Sequence, residues 1–343
     1  MVFLGLFVIL ALVLFIPFFI KQAESNLEIF LFTMACIAVT ITSQWSKSLL
    51  QEALAEPLKI TVAVFIAGFL FKFLQKPIAH NVNRIADTIG IKPFVFLVIV
   101  ILGFLSSVIT AIIAALVLVE ITSYLKLDRK NEVFLVILAC FSIGFGAALT
   151  PIGEPLSTIV IAKLKGAPYH ADFFFLFRRL WVFIVPGIIF LGLFGAILMP
   201  YKYRKASGLE AEKEEDLKDI SLRTIKVYLF VMALVFLGKG FKPLIESYIS
   251  TIPYQGLYWL NMISAILDNA TLAAAEIGPA MNLLQIKSAL LGLLIAGGML
   301  IPGNIPNIIA AGKLKIRSSE WVKFGLPLGL VIMTLCFFLL TLV

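Results

Sequence analysis

Residues 147–163 read AALTPIGEPLSTIVIAK and interrupt an apolar stretch that would otherwise be long enough to cross a membrane. They include two prolines, a glycine and one carboxylate, Glu154. Proline removes a helical hydrogen bond and frees a carbonyl group, so a continuous helix cannot form here. Within a bilayer, an unwound segment survives only where it is buried in protein or lines a cavity. The stretch therefore predicts a helix break that holds an ionisable group inside a membrane protein.

The composition of the chain also indicates a membrane protein. Hydrophobic residues make up 61% of the 343 residues and charged residues 14%, whereas soluble domains carry about 25% charged residues. Apolar segments, nearly all of them long enough to form membrane helices, follow one another at residues 3–20, 27–44, 57–74, 93–125, 133–162, 173–199, 224–238, 256–283, 285–311 and 321–343. The first lacks a basic start and a cleavage site, so we interpret it as a retained helix. We predict one all-α polytopic membrane domain over residues 1–343.

Several function classes are disfavoured. The net charge is +8, but the basic residues cluster in short loops, where membrane topology explains them better than nucleic-acid binding does. The three cysteines lie inside apolar segments without metal-ligand spacing, so we expect neither a disulfide nor a cysteine metal site. The sequence motifs of intramembrane aspartyl and zinc proteases are missing, so we expect no enzyme and no cofactor.

Two apolar segments, 93–125 and 256–283, have polar centres and could be helical hairpins that enter and leave on one side. If both segments cross the membrane, the 28 Lys and Arg residues divide 15 to 13 between its faces. If both are re-entrant, the division is 19 to 9. Cytoplasmic loops carry the excess of basic residues. We therefore predict about eight crossings and two hairpins in the cell membrane, with both termini outside and residues 200–223 as a cytoplasmic linker.

The sequence also contains an internal repeat. SSVIT at 106–110 matches SAILD at 264–268, and GAALTPIGEP at 146–155 matches GGMLIPGNIP at 297–306. A half with three full crossings is upside down relative to its copy, and paired Gly/Pro-interrupted segments are typical of such transporters. We predict inverted repeats at 51–199 and 224–343. Residues 1–50 would supply scaffold helices or a dimer contact.

Two carboxylates lie within apolar segments and are candidate ion ligands. Glu154 stands where the break frees carbonyl oxygens; its alternatives are reaching an interface or pairing with Lys163 or Arg178. Asp268 stands at the tip of the second hairpin, where a charge costs about 2.5–3.5 kcal/mol. Burial favours its protonated form, so it could exchange a proton for a cation. Its alternative role is a helix cap, and the two roles are compatible.

Neutral oxygens and two further glutamates accompany these carboxylates. The neutral candidates are Ser106, Ser107 and Thr110 at the first tip, Ser264, Asn269 and Thr271 at the second, and Asn304 and Asn307 in the second break. The hydroxyls could instead bond a preceding carbonyl or a neighbouring helix, and the amides could tie down the loop. Near the ends of the hairpins, Glu120 and Glu276 are expected to be solvated carboxylates at the membrane interface.

With these motifs assembled, the chain resembles the ion transporter superfamily. This group includes D-type bacterial sodium/proton antiporters, arsenite pumps, citrate carriers and divalent-anion/sodium symporters. LTPIGEPLSTIVI at 149–161 is similar to the antiporters' TPIG-acidic signature, and SAILDNATL at 264–272 to their Ser…Asp-Asn hairpin motif. The resemblance covers roughly residues 50–343. It extends to a shorter prokaryotic branch described as cation transporters.

The resemblance implies an elevator-type carrier, a homodimer and a set of site residues. Asp268 and Asn269 would bind cation and proton, with Thr150, Gly153 and Glu154 opposite. Two stretches depart from the family. The first tip reads SSVITA where members that bind two sodium ions have Ser-Asn-Thr, and IPGNIPN at 301–307 carries no carboxylate. The leading expectation is a sodium/proton antiporter; the alternative is a sodium- or proton-coupled carrier of a small anion. A pore-type channel is a further possibility.

Overall fold

The computed structural model describes residues 2–20, 22–23, 26–55, 57–58, 61–62, 65, 82, 84–125, 127–199, 217–249, 252–267 and 269–342. All regular secondary structure in these ranges is helical, which confirms the all-α prediction. Three predicted features fall wholly or largely outside the described residues: the 57–74 segment, the first part of the linker, and Asp268.

The main described helices are α1 (Val2–Phe19), α2 (Leu27–Ile41), α3 (Ile91–Ile109), α4 (Ala111–Leu125), α5 (Arg129–Ala147), α6 (Pro155–Lys163), α7 (Phe175–Leu198), α8 (Leu217–Ile249), α9 (Tyr254–Leu260), α10 (Asn269–Glu276), α11 (Leu283–Met299), α12 (Ile305–Lys313) and α13 (Ser318–Leu342). Short 3-10 helices cover Asn261–Ala265 and Ile301–Gly303. Because α8 begins at Leu217, the last residues of the predicted linker are helical.

Five helices in the described part of the chain are long and apolar enough to cross a membrane. They are Ile91–Ile109, Arg129–Ala147, Phe175–Leu198, Thr224–Pro243 and Ser318–Leu342. Shorter apolar helices cover Val2–Val13, Glu28–Ile41, Ala111–Leu125 and Leu283–Met299. Length and composition thus agree with a membrane protein, and the number of crossings stays a prediction.

Local sequence explains where several of these helices begin. The Asp128 side chain accepts a hydrogen bond from the Asn131 N–H and caps α5. At the start of α11, the side chains of Asn282 and Gln285 each accept a hydrogen bond from the other's backbone N–H, which forms a capping box. The first turns of α6 and α12 contain a proline, where no intrahelical bond requires its N–H.

Helix α5 lies at the centre of the molecule. Six helices pack against it: α3, α4, α7, α11, α12 and α13. Within its most apolar stretch, 83% of the residues are buried. Glycine permits the close crossing of α3 and α5, because a Cβ on Gly146 would lie 1.6 Å from the carbonyl oxygen of Gly103. Small residues allow such close approach between membrane helices. The break that follows α5 therefore starts in the protein interior.

The centre of the first predicted hairpin is a turn. Helices α3 and α4 pack against each other and are separated by Thr110, which has φ 77°. This left-handed backbone conformation is rare for a β-branched residue and tends to mark strained or functional positions. The turn falls among the polar residues that suggested a hairpin.

Candidate ion-binding site

The two helix breaks have nearly the same backbone geometry. Glu154 precedes α6 with φ −154° and ψ 160°, and Asn304 precedes α12 with φ −152° and ψ 147°. Each break is followed by a helix of nine residues that ends at a lysine, Lys163 or Lys313. Matched sequence patterns therefore form matched half-helices.

The third residue of each half-helix bonds back to the helix that ends before the break. Ser157 Oγ donates to the carbonyls of Ala147 and Ala148, at 3.4 and 3.1 Å. Asn307 Nδ2 donates to the carbonyls of Gly297 and Leu300, at 2.8 and 2.9 Å. The last carbonyls of a helix have no intrahelical partner, and these side chains supply one.

The turn of the first hairpin lies against the first break. The backbone N–H of Ala111 donates to the carbonyl of Gly153 at 2.9 Å. The hydroxyl of Thr150 donates to the carbonyl of Ser107. A Cβ on Gly153 would lie 2.1 Å from the Ala147 carbonyl oxygen, so a side chain there would collide with the end of α5. Thr150 and Gly153 thus connect break and hairpin.

The segment predicted as the second hairpin also contacts the second break. A Cβ on Gly303 would lie 2.7 Å from the carbonyl oxygen of Ser264, whose hydroxyl donates to the Leu293 carbonyl. Asn269 begins α10, and its Nδ2 lies 3.7 Å from the position of a Cβ on Gly297. Asp268 and the side chain of Thr271 lie outside the described residues.

The hydroxyls of the first tip bond to backbone carbonyls. Ser106 Oγ donates to Gly103 and Ile143, at 2.7 and 2.9 Å, and thereby joins α3 to α5. Ser107 Oγ donates to Phe104. At 3.5 Å, Thr110 Oγ1 is a distant acceptor for the Ile113 N–H. The sequence had offered two roles for these hydroxyls, ion ligation and hydrogen bonding within the protein, and these contacts are of the second kind.

Helix α5 brings the second break next to the first half of the chain. A Cβ on Gly144 would lie 2.9 Å from Asn304 Nδ2, and the Asn304 Oδ1 accepts from the Ile305 N–H. Cys140 Sγ lies 3.7 Å from the carbonyl oxygen of Pro306. The amide of Asn304 is therefore held against the buried surface of α5.

The half-helices pack crosswise on the hairpins of the opposite halves. Helix α12 packs on α4, and α6 packs on α10. At its C-terminal end, α12 places Lys313 Nζ 3.7 Å from a carboxylate oxygen of Glu120. The corresponding Lys163 Nζ donates to the carbonyl of Ile277, which directly follows α10, at 3.0 Å.

Glu120 and Glu276 contradict the expectation of solvated carboxylates, since only 6% and 7% of their surfaces are exposed. The sequence suggested solvation because both glutamates lie near the end of a predicted hairpin helix, where the membrane interface was expected. The structure covers Glu120 with α12 and includes Glu276 in the packed interior around α10. Burial therefore comes from packing between elements distant in sequence.

Glu154 is also buried, with 6% of its surface exposed. Arg178, one of its suggested partners, donates to Asp172 at 2.7 Å, and this hydrogen bond holds the pKa of the Asp172 carboxyl below its usual value. Glu154 thus places a carboxylate in the interior at the N-terminus of α6. Helix N-termini carry a partial positive charge that stabilises such groups.

Two buried polar atoms around the second break have no hydrogen-bond partner among the described residues. They are Nδ2 of Asn269 and Oδ1 of Asn307. Buried polar groups are nearly always bonded, so each unsatisfied atom is available to a ligand. Groups of three or more His, Cys, Asp or Glu that could hold a metal do not occur in the described ranges. The atoms that could coordinate an ion here are carbonyl, amide and isolated carboxylate oxygens. Such hard oxygen ligands suit alkali and alkaline-earth cations better than soft metals.

Sequence reasoning missed Lys313, Asn261 and Ser288, all of which are buried polar residues. Asn261 and Ser288 could have been noticed, because each interrupts an apolar run. No local sequence pattern could have indicated the pairing of Lys313 with Glu120, because 193 residues separate them.

Fold and site together define an all-α membrane protein with two interrupted helices, whose first break contacts the turn at Thr110 and whose second break contacts the 3-10 helix Asn261–Ala265. Residues 3–343 match the family described as protein of unknown function (DUF1646), and the chain therefore belongs to that family. No curated protein matches the sequence.

Proposed function

We propose that the protein is a secondary transporter of the ion transporter superfamily that exchanges a monovalent cation, most simply sodium, for protons. The observation that carries the proposal is the contact of the first break with the turn between α3 and α4, at Gly153, and of the second break with the 3-10 helix Asn261–Ala265, at Gly303. Broken helices at the repeat interface are where such transporters bind ions. Buried Glu154 and the amide oxygen of Asn307, which has no hydrogen-bond partner among the described residues, support a cation there.

We further propose that the two halves are inverted repeats. Support comes from contacts that recur at a constant spacing in the two halves. Ser157 to Ala147 and Asn307 to Gly297 occupy equivalent positions, and Leu164 and Leu314 end their helices with equivalent bonds to Val160 and Ala310.

Contacts at the ends of the molecule support re-entrant hairpins. The guanidinium of Arg129, just after the first hairpin, bonds to the carbonyls of Leu314 and Lys315 and to Glu320. With ten full crossings, residue 129 and residues 314–320 would lie on opposite membrane faces. Re-entrant hairpins put them on one face, and the same reasoning applies to Lys163 and Ile277 at the other end.

Cysteine accessibility would test this topology. In a variant lacking Cys36, Cys140 and Cys336, single cysteines replace Lys130, Lys315, Lys165 and Gly278. In right-side-out vesicles, an impermeant maleimide should label positions 165 and 278 alike, and positions 130 and 315 only after permeabilisation. Labelling of 130 and 315 from opposite faces would contradict the re-entrant hairpins.

The proposed ligands are the candidates defined from the sequence. Asp268 and Asn269 bind the exchanged cation and proton, with Glu154, Thr150 and Gly153 completing the site. A carboxylate that must release its proton before it accepts a cation couples the two fluxes. We also propose an elevator-type motion, a homodimer and a location in the cell membrane with both termini outside.

Transport in proteoliposomes would test the exchange. With a trapped pH-sensitive dye and an imposed proton gradient, addition of sodium or lithium should produce a pH change. Asp268→Asn should abolish the response, whereas Asp172→Asn should retain it, because Asp172 is exposed and bonds Arg178. Wild-type vesicles that respond to no monovalent cation would contradict the proposal.

A sodium- or proton-coupled anion carrier is the second candidate. It is favoured by Asn269 Nδ2, a buried donor at a helix N-terminus without a hydrogen-bond partner among the described residues. Backbone N–H groups at helix N-termini bind anions. Uptake of a labelled dicarboxylate or oxyanion that depends on sodium or a proton gradient, without cation/proton exchange, would select this function.

A further inference from the structure

A cavity of about 290 Å³ lies where the ends of three helices meet, at the opposite end of α11 from the second break. Its walls come from the start of α9, the start of α11 and the end of α13. The lining residues are Tyr254, Leu283, Leu284, Lys287, Leu340 and Thr341. In a membrane protein, the termini of packed helices lie at the level of the lipid headgroups. The cavity therefore belongs to the interfacial end of the molecule and not to its centre.

The charge of this cavity favours an anionic ligand. Among the described residues, Lys287 is the only charged one that lines it, and its side chain is half-buried. Lys287 forms no ion pair and no hydrogen bond with any described group. A charge partly withdrawn from water is unfavourable unless an opposite charge compensates it. An anion bound beside the ammonium group would supply that compensation.

The other walls are mainly apolar and lead to a surface that faces lipid. Three of the six lining residues are leucines. One turn further into the molecule, the rings of Tyr258 on α9 and Phe337 on α13 pack with centroids 5.4 Å apart, so side chains fill the space between these helices there. At the cavity's end of α13, Phe338 and Leu342 are 62% and 81% exposed. Exposed apolar patches of this kind contact hydrocarbon in membrane proteins.

We propose that the cavity binds an anionic phospholipid, with the headgroup phosphate at Lys287 and one acyl chain along the leucines and the exposed side of α13. Basic residues between membrane helices attract anionic headgroups, and burial of the chain removes apolar surface from water. A free phosphate compound would use the lysine alone and leave the apolar walls uncovered. A lipid in this position contacts α9, α11 and α13 together. This inference goes beyond the proposed exchange and does not depend on it.

Native mass spectrometry of the purified full chain measures the retained lipid. The protein is incubated in detergent with equal amounts of phosphatidylglycerol and phosphatidylcholine that carry the same acyl chains. The wild type should retain phosphatidylglycerol preferentially. Lys287→Met should lower that preference about fivefold, which is the contribution of one basic residue near an anionic membrane surface. Lys323→Met is the matched control and should keep the preference, because Lys323 is an exposed lysine near the opposite end of α13.

A second variant tests the apolar part of the site while the charge is kept. Thr341 lies exposed at the rim of the cavity, so Thr341→Trp fills the space without disturbing the packed interior. This variant should retain less phosphatidylglycerol than the wild type. An excess of glycerol 3-phosphate should not displace the lipid from the wild type, because it lacks the acyl chain. Monodisperse elution confirms that each variant is folded.

Equal retention of the two lipids by the wild type would overturn the proposal, and so would an undiminished preference in Lys287→Met. Displacement by glycerol 3-phosphate would assign the cavity to a free phosphate compound and also overturn it. If Lys287→Met does not fold, full retention of phosphatidylglycerol in Thr341→Trp would decide against the proposal. None of these results bears on cation/proton exchange, so this inference and the proposed function can fail separately.

Discussion

Half-helices α6 and α12 begin with nearly the same backbone conformation, but different side chains stabilise it. The first begins at a carboxylate, Glu154, and bonds back through a hydroxyl; the second begins at Asn304 and bonds back through the amide of Asn307. At their far ends, Lys163 bonds a carbonyl, whereas Lys313 is buried against Glu120.

This difference separates geometry from charge. Break geometry follows from proline, glycine and the need to satisfy the terminal carbonyls, which both halves share. Charge is distributed unequally. The break of the first half contains a buried carboxylate, while that of the second contains only amides. The second break thus suits structural support and neutral ligation, and the first suits binding of a charged ion.

The largest expected effect comes from removing the buried lysine. Lys313→Met leaves Glu120 buried without its cation, which should lower the free energy of unfolding by about 3–5 kcal/mol. Lys163→Met removes a more exposed bond to a carbonyl and should cost about 0.5–1.5 kcal/mol. Thermal unfolding in detergent measures both. Equal losses of stability in Lys313→Met and Lys163→Met would contradict the difference between the two half-helices. As a control, the double variant Lys313→Met/Glu120→Leu should recover much of the stability lost in Lys313→Met, because no buried charge is left unpaired.

Next in size is a methyl group at two glycines near the ends of α5 and α11. Gly146→Ala places a Cβ 1.6 Å from the Gly103 carbonyl, whereas Gly297→Ala meets its nearest atom, the Gly303 carbonyl oxygen, at 3.1 Å. Overpacking costs about 1–3 kcal/mol, so Gly146→Ala should lose that much stability and Gly297→Ala clearly less. Melting temperature and the yield of monodisperse protein report the difference. Equal tolerance at both positions would contradict the close crossing of α3 and α5.

A smaller difference is expected at the third residue of each half-helix. Asn307→Leu leaves the carbonyls of Gly297 and Leu300 without their donor and should cost about 1–3 kcal/mol. Ser157→Ala removes one hydroxyl with longer bonds and should cost about 0.5–1.5 kcal/mol. Equilibrium unfolding in mild denaturant can rank the two. A larger loss of stability from Ser157→Ala than from Asn307→Leu would contradict the view that the second break is the one that mainly supports the structure.

A last contrast concerns two arginines, Arg129 and Arg178. Arg129 bonds two carbonyls, Glu320 and buried Glu132, while Arg178 pairs only with exposed Asp172 in the described structure. Arg129→Met should lower the melting temperature, because it removes the cation beside the buried Glu132 carboxylate. Arg178→Met should leave it unchanged, because exposed pairs contribute little. A drop for Arg178→Met alone would contradict this ranking.

Local patterns in the sequence predicted the helices, the breaks and the turn at Thr110, because proline, glycine and hydropathy act on neighbouring residues. They did not reveal which helix covers which carboxylate. Glu120 and Glu276 looked solvated because each stands near the end of an apolar arm. Their burial depends on contacts between residues more than a hundred positions apart, and periodicity contains no information on such contacts. Asp268, central to the prediction, lies outside the described residues and stays a prediction.

The crosswise packing sets an order for assembly during synthesis. Lys163 and the carbonyl that it bonds are 114 residues apart in the chain. At about 5–20 residues per second, α6 emerges from the ribosome roughly 6–23 s before the helix on which it packs. In that interval its buried face must be covered by lipid, by the insertion machinery or by a temporary neighbour. Completion of the interior is therefore a late, post-insertion event.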